Sequence, residues 1–216
     1  MSKNFLIGLL VLAVSLIAGD LAFAKITGSG HDFSSQAWEL NQEICFPCHI
    51  PHNAMANTGQ DRLPLWNHAL TTATFITYSS DTLVAEDVGQ PSSSSKVCLS
   101  CHDGTVALNA FGGSTGSSTF AVGPLKVGTD LSHNHPVSFT YTATLVNKDG
   151  GLNDPSTSVS ALGGQTIDSG MLIKGKVECS SCHDVHAAKG NAQTDSRKLL
   201  VVSMVQSELC LTCHKK

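Results

Sequence analysis

Charge is scarce in this chain of 216 residues. Only 14% of the side chains are Asp, Glu, Lys or Arg, and the 13 Lys and Arg are scattered along it. There is no basic stripe, so the sequence offers nothing for nucleic acid to bind. The formal net charge is mildly negative, at −4. Long apolar runs are also missing, with one exception at the N-terminus, so no other segment is a candidate to span a bilayer. Spare cysteine is absent too. All eight Cys fall into four copies of one five-residue pattern, and none is left over.

That pattern is Cys-x-x-Cys-His, at Cys45 to His49, Cys98 to His102, Cys179 to His183 and Cys210 to His214. It reads as a c-type haem attachment site, in which two thiols bond the porphyrin and the adjacent imidazole binds its iron. A bare Cys-x-x-Cys also suits a redox dithiol or half of a zinc site. Zinc wants such pairs grouped two by two at short, regular spacing. Here the first cysteines are separated by 53, 81 and 31 residues, and each pair carries its own His. Four covalent haems c are therefore expected on Cys45, Cys48, Cys98, Cys101, Cys179, Cys182, Cys210 and Cys213. Their proximal ligands are His49, His102, His183 and His214.

The exceptional apolar run is Phe5 to Gly19, preceded by Lys3 and followed by Asp20 and Ala22-Phe23-Ala24. A positive start, a short apolar stretch and a small-x-small end describe a secretory signal peptide. A retained anchor needs ~20 apolar residues; this run has 15. The reading is a cleaved segment 1–24 and an exported chain 25–216. Export agrees with the motif, because eight thiols outside the cytoplasm would otherwise oxidise to disulfides.

The remainder is rich in Gly, Ser and Thr, a composition that taken alone suggests disorder. Four porphyrins would supply the apolar body that the chain lacks. The expected fold class is a multihaem cytochrome c: mostly irregular coil, short helices at the haem motifs and a few short strands, organised around four haems. Helices are expected over 36–44, 93–102 and 203–213, and strands over 71–78, 137–146, 171–177 and 198–202. A polar stretch, 149–170, separates an N-terminal haem pair in 25–148 from a C-terminal pair in 171–216 of what reads as one domain.

Six His remain for the distal positions: His31, His52, His68, His133, His135 and His186. No Met is a compelling competitor, and bis-His ligation gives lower potentials than His/Met. His52 and His186 each follow a proximal His by three residues, ~5–6 Å away on a helix face. Neither can reach round to the far side of the same porphyrin, so each is expected on a different haem. His31 sits on a terminal arm beside Gly28 and Gly30, free to swing to an iron, its own or a neighbouring subunit's. His133 and His135 compete; His135 is preferred because Pro136 stiffens the backbone after it. His68 is in reserve, with hydrogen bonding to a propionate as its other role.

The stretches Gly28 to Asp32, Cys48 to Ala54, Pro64 to His68, Cys98 to Thr105 and His135 to Ser138 resemble the exported tetrahaem c-type cytochromes of metal-respiring bacteria. The similarity is greatest to outer-surface, filament-forming cytochromes of the OmcE type, and it covers nearly the whole exported chain. It implies bis-His haems in a continuous stack, with His31, His52, His135 and His186 as distal ligands. It also implies electron transfer without catalysis and head-to-tail self-association into an extracellular filament. The donors would be periplasmic or outer-membrane cytochromes, and the acceptors external, such as metal oxides. A soluble periplasmic tetrahaem shuttle is the alternative. A multihaem reductase is a more distant one, because catalysis needs an open axial position and enough His are present to close every iron.

Overall fold

A computed structural model describes residues 26–52, 54, 65–117, 119–186 and 199–215. The expected signal peptide, 1–24, lies outside them. The architecture is mostly irregular, with short helices and two short strands. Helix α1 (Ser93–His102) carries the second motif. Strand β1 (Phe139–Thr140) leads into α2 (Ala143–Asp149). Helix α3 (Ile167–Gly170) precedes β2 (Lys176–Val177), α4 (Cys179–Cys182) and α5 (Glu208–Cys213). Single 3₁₀ turns lie at Gly123–Leu125 and Val205–Ser207. Strands β1 and β2 pair antiparallel, with Phe139 opposite Val177 and Thr140 opposite Lys176.

Helix α1 spans the residues expected of it, 93–102. The other six expected segments differ. The 137–146 segment, expected to be a strand, is extended only at Phe139–Thr140. Thr142 then caps α2, its hydroxyl accepting the Leu145 N–H (3.3 Å), a side-chain role that ends a strand and starts a helix. Helix α2 stops at Gly150, which holds the left-handed conformation (φ 76°). The 36–44 segment forms successive turns in place of a helix, for instance the Glu39 N–H to the Gln36 carbonyl (3.0 Å). The Glu39 carboxylate takes the Glu43 N–H (2.6 Å), and Gln42 sits at φ 57°. The 71–78 segment is extended but joins no strand: Ile76 forms an isolated parallel bridge to Asp130, and Phe75 has no strand for a partner. The Gln90 side-chain amide takes that place, accepting from the Phe75 N–H (2.8 Å) and donating to the Phe75 carbonyl (2.9 Å). The 203–213 helix begins late, at Glu208, behind a 3₁₀ turn. Strand structure over 171–177 is confined to Lys176–Val177, and within 198–202 it is a single bridge between Leu200 and His183.

The apolar core is divided. The largest cluster gathers Phe139, Tyr141, Leu145, Val146, Leu152, Ile167, Leu172 and Val177 around the strand pair. A second, small cluster (Phe75, Leu99, Leu131) backs α1, and a third (Met171, Val201, Val202) lies beside Leu209 of α5. The 149–170 stretch is ordered: Leu152 and Ile167 are buried, and α3 has a reciprocal cap between Thr166 and Ser169. Among the described residues, no helix is long and apolar enough to cross a membrane.

Candidate haem-binding sites

Each motif opens on a helical turn. The His49, His183 and His214 N–H groups donate to the carbonyls of Cys45 (2.8 Å), Cys179 (3.0 Å) and Cys210 (2.9 Å), while the second motif lies inside α1. Residues i, i+3 and i+4 of a helical turn share one face. The turn therefore presents two thiols and an imidazole to the same side. In three motifs the chain then becomes extended at the His. His183 (φ −119°, ψ 139°) and His214 (φ −98°, ψ 138°) leave the helix, and His49, His183 and His214 form isolated bridges to Trp66, Leu200 and Leu152. The second motif differs. Helix α1 runs through His102, and Asp103 continues in right-handed helical geometry.

The histidines pair. The ring of His31 lies 5.9 Å from that of His102, His186 lies 6.1 Å from His49 (planes 25° apart), and His135 lies 6.4 Å from His214. Two imidazoles on opposite sides of one iron, each ~2 Å from it, hold their ring centres roughly 6 Å apart. Each pair joins one proximal His to one expected distal His. The His186 ring thus lies against the His of another motif, the first.

The outer hydrogen bonds fit ligation. His102 donates from Nδ1 to the Leu125 carbonyl (2.7 Å), and His135 donates from Nδ1 to the Pro136 carbonyl (2.9 Å). His186 turns its Nδ1 toward Asp184 (3.7 Å), which raises the imidazole pKa. A second partner on Nδ1 leaves Nε2 for the metal and fixes the ring. His31 is different: burial first, then the charges of His102, His183 and His186, push it down to about 4. It is neutral, the form that binds iron, and its Nδ1 is buried without a partner among the described residues, as is Trp66 Nε1. The residues present thus fit haem. Bound haem supplies a one-electron ferric/ferrous couple.

The arm bearing His31 is anchored by the Asp32 carboxylate, which accepts from the Gly28 N–H (2.8 Å) and the Ser34 hydroxyl (2.6 Å). The structure seats His31 on His102 of its own chain, so the expected freedom of this arm is taken up by a local turn. Of the other three candidates, His68 touches a motif, its Nε2 3.6 Å from Cys101 Sγ. His52 and His133 are exposed. His68 is buried, its Nδ1 2.8 Å from the Ala69 carbonyl and its Nε2 3.0 Å from that of Ala107.

Four of the thiols are poor nucleophiles. Burial pushes Cys48, Cys182 and Cys213 up to about 11 and Cys101 to about 12. A redox Cys-x-x-Cys pair needs the opposite shift; Cys179 has it, lowered first by its contact with the Cys98 side chain, but its motif partner Cys182 does not.

Residues 172–216, holding the third and fourth motifs, match the family described as doubled CXXCH motif. This is a multihaem c-type cytochrome. The cytochrome's four cysteine pairs provide for up to four covalent haems, and a multihaem cytochrome implies electron transfer. A comparison with curated proteins gave no match. Sequence reasoning missed two acidic residues at its sites. Asp103 is buried and accepts from the hydroxyls of Thr71 and Thr105, and Asp184 faces His186. Both follow a motif His directly, and the repeated Cys-His-Asp was the available signal.

Proposed function

We propose that the chain conducts electrons through four bis-His haems c and has no catalytic site. The three ring pairs carry this reading: His186 closes the iron of His49, His31 that of His102, and His135 that of His214. The fourth assignment follows by reciprocity. His186, three residues after His183, serves the first motif; His52, three residues after His49, serves His183. His68 has both ring nitrogens turned to backbone carbonyls, and His133 lies near Asp130. With every iron closed on both sides, no position is left for a substrate.

The chain does this, in our reading, as the subunit of an extracellular filament of the OmcE type. The resemblance of the inter-motif stretches supports it. So does an exposed apolar strip, Phe120, Val122, Leu125 and Val127, next to the second motif. The Leu125 carbonyl holds His102, and the Val127 N–H donates to the His102 carbonyl (2.7 Å). Contiguous apolar surface of this kind marks association sites.

The tests are direct. Intact mass of the exported chain should exceed the polypeptide by four haems. The oxidised protein should be wholly low-spin by electron paramagnetic resonance. A high-spin haem on His68→Ala and none on His52→Ala would move the fourth iron to His68. Micrographs of purified material should show filaments; monomers throughout would leave the soluble shuttle.

A further inference from the structure

Glu178 is 1% exposed. A carboxylate so buried is costly unless it is paired or fully hydrogen-bonded. No ion pair reaches it among the described residues. Three serine hydroxyls do. Ser92 donates to Oε1 (3.1 Å), and Ser95 and Ser138 both donate to Oε2, Ser138 at 2.9 Å and Ser95 through a short contact. The serines are themselves set in place. Ser95 Oγ accepts the Cys179 N–H (2.9 Å), Ser138 Oγ accepts the Ser92 N–H (2.9 Å), and the Glu178 N–H donates to Ser181 Oγ (3.0 Å). Donors converge on both carboxylate oxygens, the arrangement an acceptor-only, ionised group requires.

The position of this anion is specific. Glu178 directly precedes Cys179. Ser95 lies one turn before Cys98 on α1, and α1 packs on α4, which carries Cys179. Ser94 and Ser180 also meet across this contact (2.6 Å). The carboxylate therefore lies where the second and third motifs meet.

We propose that Glu178 is a fixed negative charge that biases the haems of the second and third motifs toward the ferric state; this rests on the haem reading above. A ferric iron carries one more positive charge than a ferrous one. A nearby buried anion, poorly screened in its low-dielectric surroundings, stabilises the oxidised form. The carboxylate of Glu178 is held by serines, so it is a potential-setting residue.

The experiment is a spectroelectrochemical titration of the four-haem protein at pH 7, preceded by intact mass. Glu178→Gln keeps the shape and removes the charge. Two of the four reduction steps should shift toward ferrous iron by about tenfold, ~59 mV for one electron, with low-spin spectra unchanged. Ser92→Ala removes one hydroxyl that partly offsets the charge, so the same two steps should move the opposite way, by twofold or more. Unshifted steps in Glu178→Gln with four haems in place would overturn the proposal. Shifts of the same sign in both variants would also overturn it, because they would report a loosened helix contact and not a charge. If Glu178→Gln does not mature, the sign of the Ser92→Ala shift decides. Fewer than four haems on the unaltered chain would refute the haem reading and this proposal together, whereas unshifted steps on a four-haem chain refute only the latter.

Discussion

Replacing His186 by Ala is the sharpest test of the ligand pairing. His186 stacks on His49 at 6.1 Å, and its Nδ1 is turned toward Asp184, leaving Nε2 toward the first motif. The variant removes one imidazole and no thioether. Mass should still report four haems, while one iron in four loses its sixth ligand. The high-spin signal should rise from none to about a quarter of total haem, and the reduced protein should bind one carbon monoxide per chain, on the requirement of an open axial position. Identity matters as much as number. The chain has two Trp, and the Trp66 ring lies 6.0 Å from that of His49, while Trp38 packs on Phe33 and Phe111. With nitrogen-labelled Trp, the new paramagnet should broaden the Trp66 indole resonance more than that of Trp38. Absence of a high-spin haem would show that His186 is no ligand. A high-spin haem that leaves Trp66 untouched would show that His186 serves another iron, and the reciprocal assignment of His52 would fall with it.

Three further outcomes are expected. His31→Ala should give one high-spin haem per chain, and co-expression with a Cys98→Ala/Cys101→Ala chain should not restore it, because the arm serves its own His102; restoration would show exchange between subunits. Thr71→Val keeps the buried volume but removes the hydroxyl donated to the Asp103 carboxylate, and should cost about 1.5–3 kcal/mol in guanidinium unfolding, the range for a hydrogen bond to a charged group. Gly116 sits at φ +74°, and a Cβ there would lie 2.7 Å from Ala107 Cβ; Gly116→Ala should lower stability by about 1–3 kcal/mol for the strained backbone alone, seen as a lower melting temperature with all four haems in place.

The sequence was informative where chemistry and local structure coincide. The four motifs, their helical turns and α1 could all be read directly, because two thiols and an imidazole at i, i+3 and i+4 need only one helical turn. The misreadings came where side chains replaced backbone partners. Gln90 satisfies Phe75, so 71–78 is extended without being a strand, and Thr142 turns an alternating pattern into a helix start. Residues such as Thr142 and Gly150 were cap signals in plain view, outweighed by the alternation of Phe139 and Tyr141. The pairing of distal His was beyond sequence because it depends on which segments meet in space. Spacing could exclude His186 from the iron of His183, but only the fold shows it beside His49.

On the proposed ligation, the His pairs change how the stability of this chain is to be understood. Among the described residues its own apolar clusters are three and separate, and two of the His pairs join residues before the 149–170 stretch to residues after it. An iron held by His49 and His186, or by His135 and His214, closes a loop much as a disulfide does, and removes freedom chiefly from the unfolded chain. Metal-ligand binding free energy then becomes folding free energy. The consequence is an order of events. The iron of the first motif cannot become six-coordinate through His186 until the chain beyond the third motif is present. A chain truncated after Gly170 should therefore carry the first two haems with that of His49 high-spin, whereas that of His102, served by His31, should already be low-spin.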